Sequence, residues 1–98
     1  SLPASLSAKV HEILRKDLDF QGVIITDDLA MQGVRAFADD SRVAVQAVLA
    51  GNDLLCCTDF ETQIPAVIAA VENGEITQER IDASVLRILI LKISLGLL

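Results

Sequence analysis

The sequence predicts an α/β fold made of consecutive βα units, with parallel strands and a sheet that is incomplete on its own. Three observations point there. Val23-Ile24-Ile25-Thr26 is a short β-branched run without polar alternation, the pattern of a strand covered on both faces of a parallel sheet. Asp53-Leu54-Leu55-Cys56-Cys57-Thr58 is a second such run, and segments with helical apolar spacing lie before, between and after the two. Finally, 52% of the 98 residues are apolar and the mean hydropathy is +0.50, more than one small core consumes, so part of this surface is expected to meet something outside the chain.

Taken in order, Ser5 to Leu18 carries Leu6, Val10, Ile13, Leu14 and Leu18 on one helical face, and Ser7 is a suitable N-cap. The first strand follows Asp19-Phe20-Gln21-Gly22, and Asp27 to Asp40 reads as a polar loop with room for one turn of helix. Ser41 can cap a helix through Arg42 to Ala50, small and apolar nearly all round, that stops at Gly51. After the second strand, Phe60 to Val71 forms a helix with Ile64, Val67, Ile68 and Val71 on one stripe, closed by Asn73-Gly74. Thr77 opens the last helix, where Ile81, Val85, Ile88 and Leu89 form one stripe and Leu86, Ile90, Ile93 and Leu97 a second. Two stripes imply burial on two sides. Two parallel strands do not make a self-sufficient sheet, so further strands are expected from elsewhere.

Composition narrows the function classes. Fourteen acidic residues against eight basic ones give a net charge of -6, with no basic cluster and three Phe as the aromatics, which argues against a nucleic-acid surface. No window of about 18 residues is free of charge, so no membrane span is predicted; Lys92 interrupts the most apolar stretch, Ile88 to Leu98. No signal peptide is visible, which favours a cytoplasmic location. Cys56 and Cys57 are adjacent within an apolar run and read as small buried hydrophobes, not as a disulfide or metal framework.

The chemistry-bearing feature is the end of the first strand, where the apolar run stops on Asp27-Asp28. In α/β folds ligands sit at the carboxyl ends of strands, so an acid here is placed for catalysis; equally, an acidic pair at this point can cap the following turn. Successive residues leaving a strand point in opposing directions, so one carboxylate at most faces a ligand. A phosphate-binding reading fails on the residues: no Gly-rich loop follows either strand, and Asp27, Asp28 and Asp59 would repel an anion.

Three stretches in the right order resemble glycoside hydrolase family 3. The run Leu14-Arg15-Lys16-Asp17-Leu18-Asp19-Phe20-Gln21-Gly22-Val23-Ile24-Ile25-Thr26-Asp27-Asp28-Leu29-Ala30-Met31 looks like the signature around its nucleophile. Ala47 to Leu55 is similar to the approach to its eighth strand, and Arg80 to Lys92 to the helix that closes its barrel domain. The Thr-Asp-Asp-Leu-Ala-Met form is most like the β-N-acetylglucosaminidase branch; many β-glucosidases carry an aromatic residue soon after the acid.

The resemblance implies that residues 1–98 are the C-terminal segment of a catalytic (β/α)8 barrel: about two βα units with flanking helices, incomplete alone. It implies a retaining glycoside hydrolase acting on terminal β-linked N-acetylglucosamine through a covalent glycosyl-aspartate, with Asp27 as the nucleophile. Asp28 is left to local structure, as a cap or loop partner. Met31 either lines the sugar pocket or is packing filler. The branch is understood to draw its acid/base from a histidine, paired with an aspartate, on a loop after an earlier strand, and to carry a Lys-His motif for substrate; neither is present here. His11, the single histidine, reads as a surface or helix-flank residue. The isolated chain is therefore expected to be inactive. The expected partner is a carbohydrate; no cofactor motif or metal cluster is visible and the family chemistry requires neither. The alternatives are a β-glucosidase-type member of the family, or a non-enzymatic βα module that self-associates through its uncovered apolar surfaces.

Overall fold

The computed structural model describes residues 3–29, 40–56 and 59–97. A 3-10 turn at Ala4–Leu6 leads into helix α1 (Ala8–Glu12), where Ser7 Oγ accepts from the Val10 N–H at 3.2 Å, the predicted cap. The helix widens to π spacing over Ile13–Asp17 instead of continuing as α to Leu18. The chain then reverses through Asp19, whose φ of 52° is in the left-handed region that Asp tolerates. Arg15 fastens this return: its Nη1 donates to the carbonyls of Phe20, at 3.1 Å, and Gly22, and its guanidinium lies 5.6 Å from the Phe20 ring centre.

Strand β1 (Ile25–Asp28), helix α2 (Asp40–Ala50), strand β2 (Leu54–Cys56), helix α3 (Phe60–Glu72) and helix α4 (Gln78–Ser94) follow. β1 and β2 pair in parallel, as predicted, with Ile25 opposite Leu54 and Asp28 opposite Cys56. One more residue on β1 than on β2 lies between those pairs, so the ladder bulges. There Thr26 Oγ1 accepts from the Cys56 N–H at 2.8 Å. The strand begins at Ile25, not Val23, and it contains both aspartates, which the sequence places in the following loop. The cause lies at Asp53. Its carboxylate accepts from the Ile24 N–H at 2.9 Å, so a side chain takes that donor, while the Ile24 carbonyl accepts the backbone N–H groups of Asp53 at 2.8 Å and Leu54 at 3.1 Å.

The core surrounds α2. One side of that helix, with Val43, Ala44 and Ala47, packs on Leu6 and Leu29; the other, with Val45 and Val48, packs on Ala70 and Ile76, while Leu55 and Val67 touch both groups. Small side chains all round let the neighbours approach closely, so the prediction of a well-covered helix holds. It starts at Asp40, one residue ahead of the expected cap Ser41. It ends at Gly51, whose φ of +122° an L side chain rarely adopts; a Cβ there would also lie 3.1 Å from the His11 Cβ. Thr77 caps α4 through the Arg80 N–H at 3.1 Å, and α3 ends at Asn73-Gly74, both as predicted.

Four expectations are corrected. The strands are covered on one face only: Thr26 is buried, but Ile25 is 64% exposed and Leu54 and Cys56 are exposed with it. Cys56 is therefore not a buried hydrophobe; Cys57 and Thr58 lie outside the described residues. Among the described residues two strands build the sheet, and nothing lies over its second face. The second stripe of α4 is likewise not buried within the chain, with Leu86, Ile90 and Ile93 all more than half exposed, and of the first stripe Ile81 packs against the core while Val85 and Leu89 are exposed. Polar groups, described below, also attach that helix. On α3 the predicted stripe divides: Val67 and Val71 pack inward, while Ile64 and Ile68 are half exposed. No helix among the described residues is long and apolar enough to cross a membrane.

Candidate active site at the end of the first strand

Asp27 is the third residue of β1 and is exposed on the uncovered face of the sheet, with Ile25. Its backbone is fixed from below, because its N–H donates to Ser5 Oγ at 3.1 Å. Ser5 is held in turn: its carbonyl accepts from Asn52 Nδ2 at 2.7 Å. Asn52 is buried at the turn between α2 and β2, and Nδ2 also donates to the Ala47 carbonyl at 2.8 Å. Those two carbonyls orient the amide, leaving Oδ1 facing His11 Nε2 at 2.8 Å. His11 Nδ1 lies 2.7 Å from the Ser7 carbonyl, so both ring nitrogens are engaged.

A hydrogen-bonded series thus runs from the N-terminal turn through the α2–β2 turn to the backbone of Asp27. The Asp27 carboxylate itself makes no hydrogen bond or ion pair among the described residues. A hollow of about 200 Å³, lined by Ser5, Val10, His11, Leu14, Ile25 and Asp27, lies beside it. Chemically, this arrangement offers a rigidly based carboxylate that no described residue occupies, which suits a nucleophile.

His11 is the further correction. It is 4% exposed, not a surface or helix-flank residue, because α1 turns that side toward the α2–β2 turn and the missing Cβ of Gly51 leaves room for the ring. Its engagement at both nitrogens suits a structural part. Asp28 faces Cys56 along the backbone ladder. The Asp28 side chain and the whole of Met31, the expected sugar-pocket residue, lie outside the described residues.

A second carboxylate, Asp53, serves the fold. Its side chain is 0% exposed. Oδ2 accepts from Arg15 Nη2 at 2.6 Å and from the Ile24 N–H; Oδ1 accepts from Ser84 Oγ at 2.7 Å and Arg87 Nη1 at 2.9 Å. Burial alone raises this carboxyl's pKa, but the bonds from Ser84, Ile24 and Arg87, with the charge of Arg87, outweigh it and hold the group below its ordinary value. Arg80 completes the cluster, donating to Ser84 Oγ, to the Asn52 carbonyl at 2.6 Å and to the Val48 carbonyl at 3.0 Å. Burial lowers its pKa, with Asp53 opposing. Arg15, Ser84 and Arg87 thereby tie α1 and α4 to the start of the sheet. Among the described residues no group of His, Cys, Asp and Glu is placed to hold a metal ion.

The family model described as "Glycosyl hydrolase family 3 N terminal domain" matches residues 1–91. A "Beta-N-acetylglucosaminidase/beta-glucosidase" of Cellulomonas fimi is 34% identical over 89 residues, covering 90% of this chain and 16% of that protein. A "Beta-hexosaminidase" of Haemophilus influenzae is 39% identical over 82 residues, covering 82% of this chain and 22% of that protein. A solved structure of a glycoside hydrolase family 3 β-N-acetylglucosaminidase from Paenibacillus sp. str. FPU-7 is 45% identical with a TM-score of 0.84, over 94% of this chain and 18% of that one. The chain therefore spans between a sixth and a quarter of these proteins.

Proposed function

Because this chain belongs to the glycosyl hydrolase family 3 N-terminal domain family, we propose that it supplies the nucleophile-bearing part of a retaining β-N-acetylhexosaminidase site, within the C-terminal segment of a (β/α)8 barrel. The observation that carries the reading is Asp27: a carboxylate at the carboxyl end of a parallel strand, anchored through its backbone by Ser5 and without a side-chain partner among the described residues. In the reaction, an Asp27 oxygen forms a bond to the anomeric carbon as the bond to the leaving oxygen breaks and that oxygen is protonated; water then cleaves the glycosyl ester. His11, engaged at both nitrogens, is not placed to be the proton donor, and this reading takes that group from another part of the enzyme. On this reading the chain alone is inactive.

The names of its relatives support an N-acetylglucosamine substrate, and that of the Cellulomonas protein also favours a β-glucoside as the alternative. The reading is tested by replacing the matching segment of the Paenibacillus enzyme with this chain and assaying an aryl N-acetylglucosaminide. Hydrolysis that Asp27→Asn abolishes is expected; full activity of that variant would overturn the assignment. A second reading, self-association without catalysis, is favoured by the exposed face of α4 at Leu86, Ile90 and Ile93. A monomer at micromolar concentration in sedimentation would oppose it.

A further inference from the structure

Away from Asp27, a hollow of about 270 Å³ lies between the N-terminal helical segment and α4, with Arg15 and Lys16 on one wall, Arg80 and Arg87 on the other, and the small side chains of Ala50 and Ala83 leaving it open. Asp53, which binds two of these arginines, stands at the amino end of β2, whereas Asp27 stands at the carboxyl end of β1. The strands are parallel, so the two sites lie at opposite ends of the sheet. The four cations are spread over the sequence, and only folding gathers them.

Their charges do not balance. Asp53 is shared by Arg15 and Arg87, and bonds from Ile24 and Ser84 take up the rest of its carboxylate. Arg80 has no carboxylate partner among the described residues; it donates to Ser84 Oγ and to the carbonyls of Asn52 and Val48. Glu12 also lines the hollow, but it sits at the rim in an exposed pair with Lys16, 3.3 Å apart, of the kind that contributes little. Four cations therefore meet two carboxylates, an excess of positive charge in a chain whose net charge is -6. Burial disfavours the Arg80 cation, Asp53 favours it, and the charges of Arg87 and Arg15 add to the effect of burial. Tying a helix to a sheet needs one cation for one carboxylate, and the repulsion among three guanidiniums is a cost that an anion in the hollow removes.

Donors are also available there. Arg15 is fixed by the carbonyls of Phe20 and Gly22, and Arg80 by those of Asn52 and Val48, so both hold their charge in place before a ligand arrives. Arg87 spends Nη1 on Asp53, and among the described residues its Nε and Nη2 donate to no acceptor. Those two groups form the fork that takes two oxygens of one oxyanion. A phosphate group brings the two negative charges that match the excess, where a carboxylate brings one. A nucleic-acid strand would need a tract of cations instead of one hollow. The volume falls below the range of about 300–1,000 Å³ typical for drug-sized ligands, so the occupant is small.

We propose that the hollow between the N-terminal helical segment and α4 binds a phosphate group, free or as a small monoester, through the fork of Arg87 and the ammonium of Lys16, with Arg15 and Arg80 supplying fixed charge. The site is separate from the glycosidase reading, and its readout is binding, not activity.

The test is a titration of the 98-residue chain with inorganic phosphate at constant ionic strength, followed by calorimetry and by the NMR shifts of the arginine Nε groups. Saturable binding is expected, with a shift at Arg87 Nε, a raised melting temperature, and weaker binding of acetate. Arg87→Gln should weaken the binding about tenfold, the loss of a charge-assisted fork. That variant also takes a partner from Asp53, so Lys16→Ala is measured beside it. It should weaken binding about twofold while the melting temperature without phosphate stays the same. Arg42→Gln, which removes a cation paired with Glu75 away from the hollow, should leave the affinity unchanged. Methyl phosphate distinguishes the sources: binding as tight as that of inorganic phosphate, or tighter, assigns the site to a monoester, and weaker binding assigns it to the free ion. Absence of saturable binding, acetate binding as tightly as phosphate, or an equal loss with Arg42→Gln and Arg87→Gln would each overturn the proposal.

Discussion

Ser5 Oγ accepts the backbone N–H of Asp27 at 3.1 Å, which links a residue of the N-terminal turn to the end of a strand 22 positions later. Because Ser5 is also held through its carbonyl by Asn52, the end of β1 is positioned from outside the sheet. Ser5→Ala removes the acceptor at small steric cost, and is expected to destabilise the chain by about 1 kcal/mol. Urea denaturation measures the change, and faster amide exchange at Asp27 identifies its place.

Asn52 is the junction of three contacts, with the carbonyls of Ser5 and Ala47 and the ring of His11. Asn52→Leu keeps the volume but leaves the Ser5 carbonyl and one ring nitrogen unpaired, while the Ala47 carbonyl keeps only the backbone N–H of residue 52. A loss of roughly 3 kcal/mol is expected, several times the effect of Ser5→Ala. Thermal unfolding of the two variants side by side tests the ranking, and equal losses would contradict the junction.

At Gly51 two costs coincide: a φ of +122° and a Cβ that would lie 3.1 to 3.3 Å from His11 atoms. Gly51→Ala is expected to cost about 2 kcal/mol. Made on a His11→Ala background it should cost measurably less, since the crowding is gone and the backbone strain remains. A double-mutant cycle by denaturation reads the coupling; strict additivity would show that the ring does not press on this position.

Much of this architecture was legible in the sequence, because it depends on local rules. Ser7 and Thr77 cap as their positions predict, Gly51 and Gly74 end helices at positive φ, and two apolar runs pair in parallel. The polar network was not legible. Asn52 and Asp53 stand together in the sequence, yet one reaches His11 and Ser5 while the other reaches Arg15, Ser84 and Arg87, contacts between residues 31 to 47 positions apart where periodicity is silent. An acidic residue immediately before an apolar run was the available signal for Asp53. Gln63 carried a signal too, a polar residue one place before Ile64 on the stripe-bearing helix, but its burial without a partner among the described residues shows only in three dimensions. The exposure of Ile25, Leu54 and the α4 stripes follows from the same cause as the predicted excess of apolar residues: the described residues contain one face of a sheet without its cover.

Asp53 makes stability depend on pH at the acid end. Its folded pKa lies below the ordinary value of 3.8, so the unfolded chain takes up its proton first as pH falls. Its contribution is complete above about pH 4 to 5 and is lost as pH drops through the folded pKa. Asp53→Asn should lower stability by about 3 kcal/mol at pH 7, because Arg15 and Arg87 lose their partner, and should flatten the acid limb. Melting temperatures from pH 2 to 7 for both chains check it; parallel curves would remove Asp53 as the cause.

Asp27 gives the opposite expectation. Its carboxylate is exposed and makes no hydrogen bond or ion pair among the described residues, so none of them depends on its charge. Asp27→Asn keeps the shape and the backbone N–H that Ser5 holds. The stability of the isolated chain should therefore change by less than about 0.5 kcal/mol, against the large loss for Asp53→Asn. A strand-end carboxylate that can be neutralised without cost to the fold is one retained for something other than folding. A loss comparable to that of Asp53→Asn would mean that Asp27 is a structural acid, and the case for it as a nucleophile would lose its physical basis.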